Sequence, residues 1–158
     1  KNRAENVMIV DLLRNDLSQC CKPFSVKVPK LFELQTFANV HHLVSTVTGE
    51  LDDECDAFTL FKKSFPGGSI TGAPKKRAME IIAELEPHSR GVYCGSVAYF
   101  SRNGKADSSI TIRTLQADGN RLYCWGGGGI VLDSEANQEF DESLFKVRKL
   151  MAALNPDC

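Results

Sequence analysis

Along residues 2–17 apolar side chains fall at Val7, Met8, Ile9, Val10, Leu12, Leu13 and Leu17. On a helix they cover almost the whole circumference, which predicts a buried helix. Pro23 and Pro29 bracket an extended piece. FELQTFANVHHLVSTVTGEL then reads as β structure, rich in Val and Thr and ending at Gly49. Asp52 to Phe65 predicts a short helix. KKRAMEIIAELE, delimited by Pro74 and Pro87, predicts a longer one. Three strand-like runs follow. VYCGSVAYFS and ADSSITIRTLQA flank Arg-Asn-Gly-Lys, a hairpin signal, and Asp118-Gly119-Asn120 turns the chain into RLYCWGGGGIVLD. SEANQEFDESLFKVRKLMAAL reads as a closing helix. The order helix, strands, helices, hairpins, helix predicts an α+β fold, antiparallel sheets flanked by helices, with no repeat or linker.

Composition narrows the function classes. The 158 residues suit one domain or a large piece of one. With 19 basic and 20 acidic residues the net charge is −1, which leaves no electrostatic footprint for nucleic acid. No apolar run reaches the length of about 18 residues expected of a transmembrane helix. The N-terminus lacks a signal peptide's small-residue cleavage site and an initiator Met, so the chain reads as a fragment. Cys20, Cys21, Cys55, Cys94, Cys124 and Cys158 show no CxxC spacing. Reduced thiols of a cytosolic protein are the expectation, ahead of a zinc site or a disulfide framework.

Several residues stand out as candidate chemistry. Glu5 falls among Met8, Ile9 and Leu12 on the first helix, where a carboxylate is costly unless paired, protonated or bound to a cation. Either an arginine or solvent at a frayed first turn satisfies it, or a hard divalent cation does. Magnesium takes one or two carboxylates and leaves its other positions to water and substrate oxygens. On the last helix, about 100° per residue places Glu142 and Lys146 within roughly 60° of Glu139. This polar stripe borders the arc of Phe140, Leu144, Val147, Leu150, Met151 and Leu154. An ordinary solvated face with a Glu142–Lys146 pair is the simple account.

FPGGSITGAPKKRAME, residues 65–80, pairs a glycine-rich loop with a helix start. Its spacing is not the G-x-x-x-x-G-K-[ST] of a P-loop. Gly67, Gly68 and Gly72 let backbone N–H groups approach a ligand, and a carboxylate would suit the helix N-terminus. The alternative is a turn with Ser or Thr capping the helix, Thr71 being the expected cap. Lys75, Lys76 and Arg77 read as helix surface. The run Gly126–Gly129 is explained either by close approach of backbone to a bound molecule or by a β-bulge. His41 and His42 point to opposite faces of a strand, so one of them could serve as acid or base. Arg113, on the polar side of its strand, is either solvated or a carboxylate clamp.

Seven segments in order, AENVMIVDLLRND, VHHLVSTVTGEL, FPGGSITGAPKKRAMEII, YCGSVAYF, SSITIRT, GGGGIVLDS and EFDESLFK, resemble the C-terminal part of the chorismate-utilising enzymes. That family includes component I of anthranilate synthase and of aminodeoxychorismate synthase, and the isochorismate and salicylate synthases. FPGGSITGAPK, CGSVAYFS and SSITIRT are most similar to the aminodeoxychorismate synthase branch. The resemblance covers nearly the whole chain, residues 1–158, as the C-terminal portion of a chorismate-binding domain.

The resemblance implies a magnesium ion held by Glu5 and Glu142 against the ring carboxylate of chorismate. It implies His42 as proton donor to the leaving C4 hydroxyl and Ser69 as a hydroxyl in the ligand pocket. Tyr93 and Arg113 match groups that hold the enolpyruvyl carboxylate. Gly127, Gly128 and Gly129 match backbone contacts to the substrate. Glu139 matches a supporting acid, and Lys146 a residue near the metal-bound carboxylate. The implied reaction is amination at C4 to 4-amino-4-deoxychorismate, in a cytoplasmic route to 4-aminobenzoate and folate. Ammonia would come from a separate glutamine amidotransferase subunit. The Pro-Ile-Lys-Gly-Thr segment, whose lysine is the expected nucleophile in aminodeoxychorismate synthases, is not among these residues, so the isolated chain is expected to be inactive. Asn2 stands where relatives often carry an acid.

Overall fold

A computed structural model describes residues 2–37 and 40–154, with the side chains of residues 4–36 and 41–154. Cys158 and the side chain of Asn2 lie outside the described residues. The chain divides into two compact units. Lys1–Glu84 with Phe100–Ala106 forms the first, and Leu85–Tyr99 with Asp107–Cys158 the second.

The first unit is built from α1 (Asn2–Ser18), β1 (Lys27–Phe37), β2 (Val40–Thr48), α2 (Ala57–Ser64), the one-turn α3 (Gly68–Thr71) and α4 (Lys75–Leu85). β1 and β2 pair antiparallel from Lys27↔Thr48 to Phe37↔Val40. The strand begins before Pro29 rather than after it. Pro29 cannot donate to the ladder, and the register shifts between Lys27 and Lys30, around it. α2 starts later than its sequence suggests, because Asp56 is the N-cap: its carboxylate accepts from the Thr59 amide at 2.7 Å. Asp52 instead closes the preceding turn, accepting from the Cys55 amide at 2.9 Å. Phe100, at the hairpin tip that belongs to this unit, meets Phe58 edge-on at 5.4 Å and Phe61 at 5.8 Å.

α1 is not buried all round. Val10 and Asp16 are buried, whereas Val7 is 43% exposed. β1, β2, α2 and α3 pack against it within the unit and cover only part of its circumference.

The second unit contains β5 (Thr114–Asp118), β6 (Arg121–Trp125), α5 (Ala136–Leu154) and most of a hairpin of β3 (Ser96–Phe100) and β4 (Ala106–Ile110). Asn103-Gly104 turns that hairpin as expected, with Gly104 at φ +81°. The run ADSSITIRTLQA is two strands, not one. It breaks at Arg113, whose φ of +49° lies in the left-handed region, so β4 pairs with β3 while β5 pairs with β6. Gly119, at φ +58°, turns β5 into β6, in register from Thr114↔Trp125 to Asp118↔Arg121.

Of the apolar arc of α5, only Val147 is fully buried. Glu139 and Val147 are buried, while Phe140 is 64% exposed and Leu144, Met151 and Leu154 are also exposed. Helices and small antiparallel sheets make the fold α+β, as the sequence predicts. Cys20, Cys21, Cys55, Cys94 and Cys124 are free thiols. Among the described residues no helix is long and apolar enough to cross a membrane.

Candidate functional site

The first unit carries Glu5, His42 and Ser69 on three elements that meet at α1. Glu5 is half-buried in the first turn of α1, and no cation pairs with it among the described residues. Its neighbour Asn6 donates to the Leu43 carbonyl at 3.4 Å and accepts from the Ser45 hydroxyl at 2.7 Å. Leu43 follows His42 on β2, so the sequence neighbours of Glu5 and His42 are bonded to each other. His42 lies opposite Gln35 in the hairpin, and His41 opposite Thr36, whose hydroxyl is 3.0 Å from His41 Nδ1.

Ser69 is exposed on α3. α3 sits tight on α1: a Cβ on Gly68 would come within 2.5 Å of Leu12 Cδ1. That glycine is therefore required by the protein's own packing. Thr71 is not the cap of α4, since its hydroxyl donates to the Gly67 carbonyl at 3.0 Å. Lys75 is not mere helix surface. It pairs with the buried Asp16 at 2.6 Å and donates to the Ser64 carbonyl at 3.0 Å.

The second unit gathers Tyr93, Gly127, Gly128, Glu139, Glu142 and Lys146 at one place. After β6 the glycine run drops alongside α5. A Cβ on Gly126 would lie 2.7 Å from Val147 and 3.0 Å from the Ser143 carbonyl, and one on Gly127 would lie 2.6 Å from the Tyr93 hydroxyl. Close packing within the protein thus accounts for two of these glycines. The run is not a β-bulge, because β6 ends at Trp125. Gly128 faces the polar stripe of α5: its Cβ position is 3.4 Å from Glu139 Oε2, 3.6 Å from Glu142 Oε1 and 3.8 Å from Lys146 Nζ. Lys146 donates to Glu142 at 2.6 Å and to the Gly127 carbonyl at 3.3 Å. The stripe is therefore the face that α5 turns to the glycine run. Arg113 is exposed in the connection between β4 and β5.

Tyr93 is held from both sides. Its ring stacks on Trp125, 5.6 Å between centroids and 10° between planes, and the Arg90 guanidinium lies 5.8 Å from its centroid. Glu86 fixes Arg90 by accepting from Nε at 2.9 Å and Nη2 at 2.6 Å. Arg90 and Trp125 had no signal in the sequence, where one precedes a turn and the other ends an apolar run. Burial, and then the neighbouring Cys94, pushes the Tyr93 phenol up to about 12. The phenol therefore stays a neutral donor at neutral pH. Because the folded value is raised, stability that depends on it is intact below the ordinary value of about 10 and is lost as pH rises toward 12. A difference titration at 295 nm between the wild type and Tyr93→Phe is expected to isolate one phenol with a midpoint near 12; a midpoint near 10 would contradict the burial.

Glu142 presents a hard carboxylate oxygen beside the glycine run, and Glu5 presents one in the first turn of α1; carboxylate oxygens are the donor chemistry that suits a magnesium ion. Among the described residues no group of three or more His, Cys, Asp or Glu side chains could hold a metal. Any such ion would therefore lean on water and substrate oxygens.

Residues 1–152 match the family described as chorismate binding enzyme. The chain is 56% identical over 154 residues to aminodeoxychorismate synthase component 1 of Salmonella typhimurium, covering 98% of this chain and 34% of that protein. It is 48% identical over 153 residues to anthranilate synthase component 1 of Saccharomyces cerevisiae, covering 96% and 30%. Among solved structures, anthranilate synthase component I from Streptococcus pneumoniae superposes with a TM-score of 0.85 at 42% identity, over 93% of this chain and 34% of that one. The chain thus spans about one third of the length of these relatives. With a match along almost its entire length, the chain belongs to the chorismate binding enzymes.

Proposed function

We propose that this chain supplies the C-terminal portion of an aminodeoxychorismate synthase component I, which replaces the C4 hydroxyl of chorismate by an amino group. The observation that carries the reading is the convergence of Tyr93, Glu139, Glu142 and Lys146 on Gly127 and Gly128. The higher identity to an aminodeoxychorismate synthase than to an anthranilate synthase supports the branch.

In this reading the neutral Tyr93 phenol and the Arg113 guanidinium hold the enolpyruvyl carboxylate. Backbone N–H groups of Gly127, Gly128 and Gly129 orient the ring. Ser69 contacts the substrate from its exposed turn, and His42 delivers the proton that lets the C4 oxygen leave as water. Lys146 and Glu139 steady Glu142. Glu5 and Glu142 would hold magnesium, which when bound supplies positive charge against the ring carboxylate. Ammonia reaches the site from a glutamine amidotransferase subunit. The product then serves a cytoplasmic route to 4-aminobenzoate and folate.

The chain by itself is read as inactive. Its α5 carries exposed Phe140 and Phe145, 64% and 75% open, a surface suited to packing against further protein. The test is chromatography of chorismate incubated with ammonia and magnesium. The chain alone is expected to give no product, and the chain joined to the remaining two-thirds of an aminodeoxychorismate synthase to give 4-amino-4-deoxychorismate. Anthranilate as product would favour the second reading, an anthranilate synthase portion, which the yeast relative supports. Isochorismate or salicylate would overturn both. Chorismate binding without turnover in the joined protein would make this a non-catalytic ligand-binding domain.

A further inference from the structure

Lys75 occupies an unusual place for the first residue of a helix. Its ammonium donates to the carbonyl of Ser64, the last residue of α2, at 3.0 Å. One side chain therefore bridges the two ends of the loop 65–74, and that loop contains α3 and Ser69. The same ammonium bonds the Asp16 carboxylate at 2.6 Å, with side-chain exposures of 21% for Lys75 and 3% for Asp16. A carboxylate this deep in the protein needs its partner, since removing one member of a buried pair leaves an uncompensated charge. Asp16 stands four residues beyond Leu12, on the same face of α1. Leu12 is the residue that Gly68 packs against. The loop is thus fastened to one face of α1 at two points a single turn apart, one apolar and one ionic. Between them the loop closes on itself, the Gly72 amide donating to the Gly68 carbonyl at 3.0 Å and the Ile70 amide to the Gly67 carbonyl at 3.3 Å.

We infer that Asp16 and Lys75 are positioning residues: their ion pair closes the loop 65–74 against α1 and sets the place of Ser69. The functional half of this inference rests on Ser69 contacting the substrate, as proposed above. The pair acts through the loop and touches no reacting atom. Lysine suits the position because its ammonium offers three donors in a compact head, whereas the planar arginine fork would not meet both partners as well.

Hydrogen exchange of the chain tests the clamp without any turnover. In Lys75→Met, exchange at the Ile70 and Gly72 amides is expected to rise about 10-fold, while the paired amides of β1 and β2 keep their rates. The double variant Asp16→Asn/Lys75→Met buries no lone charge and carries the same test if the single variant does not fold. It is expected to regain overall stability yet leave the two loop amides fast, because the link to Ser64 is still missing. Unchanged loop rates, or an equal rise along β1 and β2, would overturn the clamp. In the joined full-length protein the double variant is expected to raise KM for chorismate about 10-fold with a smaller effect on kcat. An unchanged KM would overturn the link to Ser69. If the unsubstituted protein does not turn over chorismate, the functional reading fails while the exchange result still decides the clamp.

Discussion

Glu142→Ala in the joined full-length protein is expected to cut chorismate turnover by about 10³-fold, the equivalent of several kcal/mol of charge stabilisation at a metal-assisted step. The fold should survive the change. The Glu142 side chain is 44% exposed, and its pair with Lys146 is an i,i+4 contact at the surface. Such pairs are worth about 0.3–0.5 kcal/mol. A large catalytic loss with a nearly unchanged melting temperature therefore separates the proposed role from a structural one. Glu142→Gln sharpens the test, because it preserves volume and hydrogen bonding but removes the charge that a cation needs. Steady-state rates at increasing magnesium, beside a thermal melt of each variant, make the measurement. Turnover within about 3-fold of the unsubstituted protein would remove Glu142 from the metal site, since the expected charge effect is far larger.

Gly126→Ala is expected to destabilise the second unit by about 1–3 kcal/mol, the usual cost of forcing extra volume into a packed site. The added carbon would meet Val147 at 2.7 Å and the Ser143 carbonyl at 3.0 Å. Val147 is among the most buried side chains of α5, and the Ser143 oxygen is helix backbone, so neither yields cheaply. The helix must move away from the glycine run, which also draws Glu139 and Lys146 from Gly128. Urea denaturation followed by helical circular dichroism measures the loss, and a change below about 0.5 kcal/mol would show that α5 is not held at this point. Gly128→Ala is the matched control. Its carbon meets neighbours only at 3.4 Å and beyond, an ordinary contact distance.

Much of the architecture was legible along the chain. The closing helix, the Asn103-Gly104 turn, the turn at Gly119 and the helix between Pro74 and Pro87 follow from local chemistry, and each is observed. Local signals misled where a boundary depended on something distant. ADSSITIRTLQA reads as one β-rich run with no glycine or proline to end it, but its apolar positions slip from Ile110 and Ile112 to Leu115 and Ala117, and there Arg113 adopts a left-handed conformation and the strand divides between two partners. The helical wheel of α5 grouped Glu139, Glu142 and Lys146 into one stripe. It could not say that this stripe, with Val147 beside it, faces the glycine run while Phe140 and Leu144 are exposed.

The site shows the same division. Residue type and order along the chain were enough to nominate Glu5, His42, Ser69, Tyr93, Arg113, Gly127–Gly129, Glu139, Glu142 and Lys146, through the resemblance to one family. Hydrophobic period and turn chemistry are properties of neighbours in sequence, so the elements that carry these residues could be read there too. The Asp16–Lys75 pair and the Arg90–Tyr93–Trp125 stack could not. Asp16 and Lys75 are 59 positions apart, and neither carries a local mark of its partner. Burial makes such a pair matter, and burial exists only once helices and loops have packed. The glycine run is the clearest case: the chain spells four glycines, and the packing of Val147, Ser143 and Tyr93 supplies the reason for two of them.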